Sequence, residues 1–355
     1  MAGMLHYFAD GNTARGYISL LESNLSGVRH LIVVEGGSVS DRSQAIHEMG
    51  LRWSQNGHDA EFLHCAMDHG TIDAVIFPGL GAAIVDGASH EAPIPAGAQA
   101  VTVRAGDPFG SQAEREAAQA MDREIRGELD AAYRAFARAL AIHDAWERCY
   151  IESMDFERAD RLSAEIIDSC LGDAAGGGEP AVKRRFLGAA TPLGPIDYVP
   201  GIIQGVRRRI YLKGRPGTGK STILKRLAAA AQERGFDTEI YHCGFDPHSL
   251  DMVVVRSIGI AVFDSTAPHE YFPGDGDETI DLYARLIRPG TDERMRERLR
   301  DIVSGYRTHI ARGTAALAYA RSIRDRAQGM ADDRGARAAQ LIDALEQALG
   351  DIAGA

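Results

Sequence analysis

Apolar and polar residues follow one another along this chain in the order expected of an α/β protein. Short apolar runs at 31–34 and 210–212 have the length of buried strands. Behind the second run lies a glycine-rich loop, and then the segment 221–234, whose apolar residues recur at helical spacing. A strand with the sequence TEIYHC and another at 258–263, which leads into Asp264, come next. Strands that alternate with helices predict a parallel sheet flanked by helices.

The chain contains an internal duplication in which each residue matches the one 178 positions later. GVRHLIVVEGG from Gly27 aligns with GVRRRIYLKGR from Gly205, and the match continues without a gap to Asp86 and Asp264. Identical pairs include Gly57/Gly235, Asp59/Asp237, Glu61/Glu239, His64/His242, Cys65/Cys243, Asp68/Asp246 and Asp73/Asp251. A period of this length indicates a duplicated domain, because solenoid repeats are much shorter.

The duplication predicts two domains built from the same α/β unit. We place them at residues 1–172 and 181–355, called below the first and second half, with a glycine-rich linker at 173–180 whose glycines disfavour a helix. After Gly110 and after Gly276 each half becomes long, charged and helical in pattern. We expect each of these helical appendages to act as a lid or a packing surface, or simply to cover the sheet as a hairpin.

One stretch of the second half matches the phosphate-binding pattern G-x-x-x-x-G-K-[ST]. It consists of Gly214, Arg215, Pro216, Gly217, Thr218, Gly219, Lys220 and Ser221. The stretch lies between a predicted strand and a predicted helix, which is where such a loop works mechanically. Glycines let the backbone N–H groups curl around an anion, and the helix N-terminus adds partial positive charge.

With the duplication, this loop predicts that each half is a P-loop NTPase-like domain, and its chemistry predicts an ATP and Mg²⁺ site in the second half. Lys220 supplies a cation for the β- and γ-phosphates, and Ser221 offers a hydroxyl to Mg²⁺, which prefers oxygen ligands. Thr222 is placed to reach a phosphate oxygen. Asp264 ends an apolar strand, as does the Walker-B carboxylate that holds the Mg²⁺ shell.

The first half lacks the residues that phosphate binding needs. The replacements are Gly217 by Val39, Gly219 by Asp41 and Lys220 by Arg42. A carboxylate about 4 Å from a phosphate costs roughly 4 kcal/mol per charge pair at an effective dielectric constant near 20. We therefore predict that the first half binds no nucleotide and has a structural or regulatory role.

Two further carboxylates of the second half are candidates for catalysis. Asp246, just past the second strand, could orient a water or a substrate hydroxyl, or could open a turn with Pro247. Glu270, or its neighbour His269, could act as a base near a γ-phosphate. A similar pair, His90-Glu91, occurs in the half whose loop has decayed, which favours a structural role.

Two weaker signals have simpler interpretations. The pairs His64-Cys65 and His242-Cys243 invite a metal or thiol hypothesis, but adjacent strand residues point to opposite faces. A phosphoryl-transfer arginine could come from a charged segment, which is more often a solvated helix face. Its arginines are Arg285, Arg288, Arg294, Arg296, Arg298 and Arg300.

The composition of the chain argues against some classes of binding partner. The formal net charge of −11 disfavours nucleic acid as a ligand, because lysine and arginine supply most of that affinity. Four cysteines without a C-x-x-C pair predict reduced thiols. No apolar stretch approaches the roughly 18 residues of a membrane helix, and the start MAGMLHYFADG lacks the pattern of a secretory signal. We therefore expect a cytoplasmic protein without a membrane partner.

Several motifs together resemble a poorly characterised bacterial family of tandem P-loop ATPase-like proteins. They are HYFADGNTARGY, YLKGRPGTGKSTILKRLA, YHCGFDPHSLDMVVV and GIAVFDSTAPHEYFPGDGDE, and the resemblance covers nearly the whole chain. It implies ATP binding and hydrolysis, carried by Gly214, Gly219, Lys220, Ser221 and Asp264. In that family the first copy commonly resembles a proper phosphate loop as well, and this chain departs from it.

The sequence thus predicts a slow Mg²⁺-dependent ATPase that couples nucleotide state to conformational change. No acidic residue directly follows Asp264, so fast hydrolysis is not expected. Two alternatives stay open: a small-molecule or nucleotide kinase, and a non-catalytic ATP-dependent switch or scaffold. ATP and ADP are the expected ligands, an unidentified protein or small molecule is the expected partner, and the oligomeric state is open.

Overall fold

The computed structural model describes residues 3–88, 93–330 and 334–354, and each half of the chain contributes one six-stranded sheet. The elements of the first half are β1 (Met4–Tyr7), β2 (Asp10–Thr13), β3 (Gly16–Ser19), α1 (Leu21–Leu25), β4 (His30–Glu35), α2 (Val39–Gln55), β5 (Ala60–Cys65), β6 (Asp68–Phe77), β7 (Ala82–Asp86), β8 (Gln99–Arg104), α3 (Gln112–Ile151) and α4 (Phe156–Leu171). Those of the second half are β9 (Val182–Phe186), β10 (Gly188–Thr191), β11 (Gly194–Asp197), α5 (Val199–Ile202), β12 (Arg208–Lys213), α6 (Lys220–Glu233), β13 (Thr238–His242), β14 (Leu250–Val255), β15 (Ile260–Asp264), β16 (Glu278–Asp281), α7 (Leu282–Leu286), α8 (Thr291–Arg294), α9 (Arg296–Gly329) and α10 (Arg334–Ala353). No helix within the described ranges is both long enough and apolar enough to cross a membrane.

The two sheets have the same strand order. The order is β1-β5-β6-β7-β4-β8 in one and β9-β13-β14-β15-β12-β16 in the other. Five strands of each sheet are parallel, and β6 or β14 runs antiparallel to both of its neighbours. The sequence pattern predicts an α/β fold with a parallel sheet, which is confirmed only in this coarser, mostly parallel form. Strand β14 is not among the predicted strands. Its short connections to β13 and β15 allow only antiparallel pairing with them.

The halves meet around an approximate two-fold axis. Phe8 and Phe186, which are equivalent in the duplication, each donate a backbone hydrogen bond to the other, with N–O distances of 3.1 and 2.9 Å. Such reciprocal contacts define an isologous interface, in which the same surface of both units is used. Around it, one apolar core contains side chains of both halves, among them Leu25 and Ile202.

A buried cation joins the two halves within this interface. The Arg185 side chain is 2% exposed and lies 2.8 Å from a carboxylate oxygen of Glu61 and 3.4 Å from one of Glu239. Its guanidinium also stacks on the ring of Tyr7 at 4.2 Å and donates a hydrogen bond to Asn24 Oδ1. One cation therefore serves two equivalent carboxylates, one from each half.

The last helix of each half packs on the sheet of the other. Leu162 and Ile166 of α4, although they belong to the first half, lie in a core with α6 and the second sheet. Leu341 and Leu345 of α10 lie in the matching core with α2 and the first sheet. The predicted boundary at 173–180 therefore separates the two sheets along the chain, but helices from both sides of it cover each sheet.

The predicted appendages are the long helices α3 and α9, which cross each other. Tyr319 donates a hydrogen bond to Glu124, and Gly313 lies so close to Phe136 that an added Cβ would approach its ring to 2.3 Å. Residues late in one helix contact residues early in the other, so the pair is antiparallel. The N-terminal part of the second predicted helical region instead forms the edge strand β16.

We predict that replacing Arg185 will destabilise the whole chain. Arg185→Met leaves the half-buried Glu61 carboxylate without its cation, while Glu239 keeps Arg256, so the free energy of unfolding should fall by about 3 kcal/mol, the low end for a broken buried pair. Chemical denaturation measures this loss. Arg104→Met, which removes an exposed arginine paired with Glu35, is the control and should change little. A small effect at Arg185 would mean that the interface does not depend on this pairing.

Candidate functional site

The phosphate-binding motif forms a glycine-dependent loop between β12 and α6. Gly217 and Gly219 have φ values of 76° and 92°, a region that other L-residues rarely adopt. Gly219 precedes the first residue of α6, so the loop leads directly to the N-terminus of that helix. The backbone thus has the strand–loop–helix arrangement that the sequence predicts.

Lys220 and Asp264 lie together at the mouth of this loop. Lys220 Nζ donates hydrogen bonds to the carbonyls of Gly214 and Arg215, both at 3.0 Å, and lies 3.6 Å from Asp264 Oδ2. The hydroxyl of Ser221 accepts a hydrogen bond from Leu250 N and retains a second lone pair. These side chains supply the cation and the oxygen donors that a magnesium–phosphate site requires.

Asp251 is a further carboxylate here that the sequence analysis did not single out. It is the second residue of the antiparallel strand β14 and is buried, and its Oδ2 has no hydrogen-bond partner among the described residues. Burial, and secondarily the charge of Asp264, raises the pKa of Asp251 to about 6. The sequence does show that Asp251 matches Asp73 in the duplication. Its proximity to Asp264 depends on the pairing of β14 with β15, which the sequence analysis does not predict.

The remaining loop residues differ in their surroundings. Thr218 is buried and donates a hydrogen bond to the Arg215 carbonyl, which shapes the loop. The Arg215 side chain pairs with Asp292 at 3.0 Å, and that of Pro216 is partly exposed. Thr222 is exposed on the first turn of α6.

In the first half the corresponding loop has become the start of a helix. Helix α2 begins at Val39, the equivalent of Gly217, whereas α6 begins at Lys220, the equivalent of Arg42. The N-terminus of α2 is therefore three residues longer. Ser38 caps this helix, and Asp41 completes the capping box by accepting a hydrogen bond from Ser38 N at 2.8 Å. The backbone N–H groups that would face a phosphate are therefore used inside the protein.

Arg42 fills the remaining space of that loop. It forms a buried ion pair with Asp86 at 2.7 Å and donates hydrogen bonds to the carbonyls of Gly36 and Gly37. These contacts are the counterparts of those made by Lys220 with Asp264, Gly214 and Arg215. A guanidinium is bulkier and has more donors than an ammonium, so it holds this arrangement closed more firmly.

The two additional carboxylate candidates have different partners. Asp246 accepts hydrogen bonds from Arg15 Nε at 2.9 Å and from His248 N, which ties it into a turn. Glu270 is exposed and lies 3.5 Å from Lys213 Nζ. Neither contact assigns a catalytic role, and His90-Glu91 lies outside the described residues.

His269, next to Glu270, is anchored by Asp197. His269 Nδ1 lies 2.7 Å from Asp197 Oδ2, and Tyr271 donates to Asp197 Oδ1 at 2.5 Å. Burial acts to lower the pKa of His269, but the Asp197 hydrogen bond and the charges of Asp251 and Asp264 outweigh it and raise the pKa. Asp197 thereby holds the segment that carries Glu270.

Helix α3 of the first half lies directly against the phosphate loop of the second. A Cβ added to Gly217 would come within 2.5 Å of the Glu147 carbonyl oxygen. His143, Asp144 and Glu147 cluster here, with one polar atom of each within 4.8 Å of the others. The gapless match between the two halves ends before α3 begins, so no sequence motif indicates that this helix lies beside Gly217.

A groove of about 330 Å³ adjoins the loop beyond Arg215. Its lining combines aromatic, apolar and charged side chains, including Trp146, Tyr150, Arg215, Asp292, Arg296 and Leu299. Arg296 is the one residue of the arginine-rich segment that lines this groove. The charged side chains of the groove are the two arginines and the carboxylates of Asp292 and Glu293.

Comparison of the chain with protein families, with curated proteins and with solved structures finds no match.

We predict that Asp197 sets the protonation of His269. Asp197→Asn should lower the pKa of His269, measured by NMR titration of the ring, while the ring of His242, which bonds Pro247 O, should not respond. The raised pKa of His269 and the lowered pKa of Asp197 mean that their pairing stabilises the fold between those two values.

The loss of stability in Asp197→Asn should consequently depend on pH. It should be largest in mildly acidic solution, roughly pH 5–6, and shrink as pH rises through the pKa of His269 and that histidine becomes neutral. Denaturation at several pH values measures it. A loss that is independent of pH, with an unchanged His269 pKa, would contradict this assignment.

Proposed function

We propose that the second half binds Mg·ATP and hydrolyses it slowly, and that the first half binds no nucleotide. The observation that carries the proposal is the loop before α6, where left-handed glycines, Lys220 and a helix N-terminus meet Asp264. Backbone N–H groups and a helix dipole favour an anion there, and Lys220 adds a cation for the outer phosphates.

Mg²⁺ would be held by oxygen atoms at the same place. Ser221 supplies a hydroxyl, and Asp264 supplies a carboxylate directly or through water. The chemistry that the ion would supply is neutralisation of the developing phosphate charge. Asp251, buried with an unpartnered oxygen, adds negative charge that favours a divalent cation nearby.

Coupling between nucleotide state and conformation is supported by the contact between α3 and Gly217. Any ligand that changes the loop acts on a 40-residue helix that belongs to the other half and packs along α9. ATP and ADP would contact this loop differently, and such a difference is what a nucleotide-dependent change of conformation requires.

A kinase is the second candidate, and the groove beside Arg215 favours it. Arg215 and Arg296 could bind an anionic acceptor there, and α9, which carries Arg296, could close over it. Phosphate transfer to a metabolite instead of water, measured with γ-labelled ATP, would favour the kinase.

We predict one nucleotide per chain, bound through Lys220. Lys220→Met removes a charge-assisted contact to phosphate, so the affinity for Mg·ATP should fall by at least about tenfold in calorimetric titration. Arg226→Met is the matched control, because it removes a cation from the exposed face of the same helix. Two nucleotides per chain, or equal effects of both variants, would count against the proposal.

Ser221 and its equivalent Ser43 isolate the role of the metal. Each hydroxyl accepts a hydrogen bond from a strand N–H, that of Leu250 at 2.9 Å and that of Ile72 at 2.7 Å. Substitution of either serine by alanine removes the same structural bond, but only Ser221→Ala should weaken the Mg²⁺ dependence of ATP binding. Similar Mg²⁺ dependence in the two variants would be evidence against Ser221 as a ligand.

A further inference from the structure

The wall opposite Lys220 is built by the other half of the chain. The backbone of α3 at Glu147 packs against Gly217. The Glu147 carboxylate accepts a hydrogen bond from the Gly217 N–H, and the charges of Asp246 and Lys220 shift its pKa. A nucleotide with its phosphates in this loop would therefore face α3.

Glu147 is a carboxylate without a strong ionic partner. Its nearest cationic candidate is His143, at 3.9 Å one helical turn away, and burial lowers the pKa of that histidine. His143 packs among the rings of Trp146, Phe245 and Tyr306, which limits its contact with water. Near neutral pH it is thus uncharged and leaves Glu147 unpaired on its own helix.

The equivalent place in the first half is built differently. At the same offset of 178 residues, carried forward into the long helices, Asp325 of α9 takes the place of Glu147 and Arg321 that of His143. Arg321 lies 3.8 Å from Asp325 and 3.1 Å from Asp68. A second cation, Arg324, also pairs with Asp68 at 3.4 Å. Permanent positive charges therefore neutralise the carboxylates at this site, whereas at the site beside Lys220 the Glu147 carboxylate of the first half can take up a proton.

We propose that Glu147, from the first half, is the general base of the phosphate site in the second half. The proposal rests on the ATP site proposed above. A water oxygen forms a bond to the γ-phosphorus, and the bond from that phosphorus to the bridging oxygen breaks, with its electron pair leaving on ADP. The proton of the water passes to the Glu147 carboxylate.

The surroundings suit a base that works near neutral pH. Burial raises the pKa of Glu147, with smaller contributions from Asp144 and Asp246, while Lys220 and the Gly217 N–H oppose the rise. A bound γ-phosphate adds negative charge and raises this pKa further, toward the range in which a general base is most effective. The charged or titratable groups around it are His143 and Asp144 on α3, Lys220 on α6, Asp246 with its partner Arg15, and Tyr306 on α9.

The test compares Glu147→Gln with Asp325→Asn in the full-length chain, using Mg·ATP alone. Glu147→Gln should lower kcat by about 100-fold or more, while ATP binding by calorimetry is unchanged or tighter because a negative charge is gone. Asp325→Asn should behave as the wild type. In the wild type kcat/KM should fall as pH decreases through the pKa of Glu147, and this acidic limb should be absent in Glu147→Gln.

The outcomes separate the two proposals. A wild type that binds no Mg·ATP would overturn the ATP site and this inference with it. If the wild type binds and hydrolyses ATP in a Lys220-dependent manner but Glu147→Gln retains kcat, or turns over faster, only the general-base assignment falls. Binding without any turnover would also overturn it, and circular dichroism of each variant excludes unfolding as the cause of a loss.

Discussion

The ion pairing of Arg185 with Glu61 and Glu239 is the contact on which the arrangement of the two halves depends. Glu61 and Glu239 are equivalent residues, so an exact two-fold arrangement would bring like charges together near the axis. The duplication resolves this by asymmetry, because the equivalent of Arg185 is Tyr7, whose ring stacks on the guanidinium. A buried charge is tolerated only when it is paired and hydrogen-bonded, and here the pairing requires both halves. In the same arrangement of the halves, α3 lies against Gly217 of the other half.

Within that shared framework, a few substitutions separate the two loops chemically. In the second half, Gly217 and Gly219 adopt left-handed backbone conformations, α6 starts only at Lys220, and the Gly217 N–H faces the Glu147 carboxylate. Val39 and the Ser38–Asp41 capping box instead convert the same stretch into helix, and the Arg42–Asp86 pair occupies the space that remains. The strand order is unchanged, because it is set by the apolar cores and the short connections. The two loops therefore differ within sheets of the same strand order.

The sequence predicted the duplication, the α/β class and the strand–loop–helix surroundings of the phosphate motif, because each depends on local pattern. The sequence analysis missed the antiparallel strand β14. The pattern of the run Leu250–Val255 does not reveal in which direction a strand would run in the sheet. Asp251 escaped notice for the same reason. Glu147 could not be predicted at all, because its place beside Gly217 depends on how two distant segments pack. Asp246 and Glu270 are candidates because they follow strand ends. Their places in the sequence do not reveal that Arg15 lies beside Asp246 and Lys213 beside Glu270.

The exchange of α4 and α10 between the sheets has a consequence for how such a chain could arise. A protein with a single copy of this unit would leave the apolar face of its last helix, and part of its sheet, exposed to water. It could bury both only by pairing with a second copy that lends its helix in return, as domain-swapped homodimers do. Joining the copies through a short linker makes this association intramolecular, at an effective concentration in the millimolar range. Once they are covalently joined, the partners no longer have to be identical, and one can lose its ligand while still completing the other.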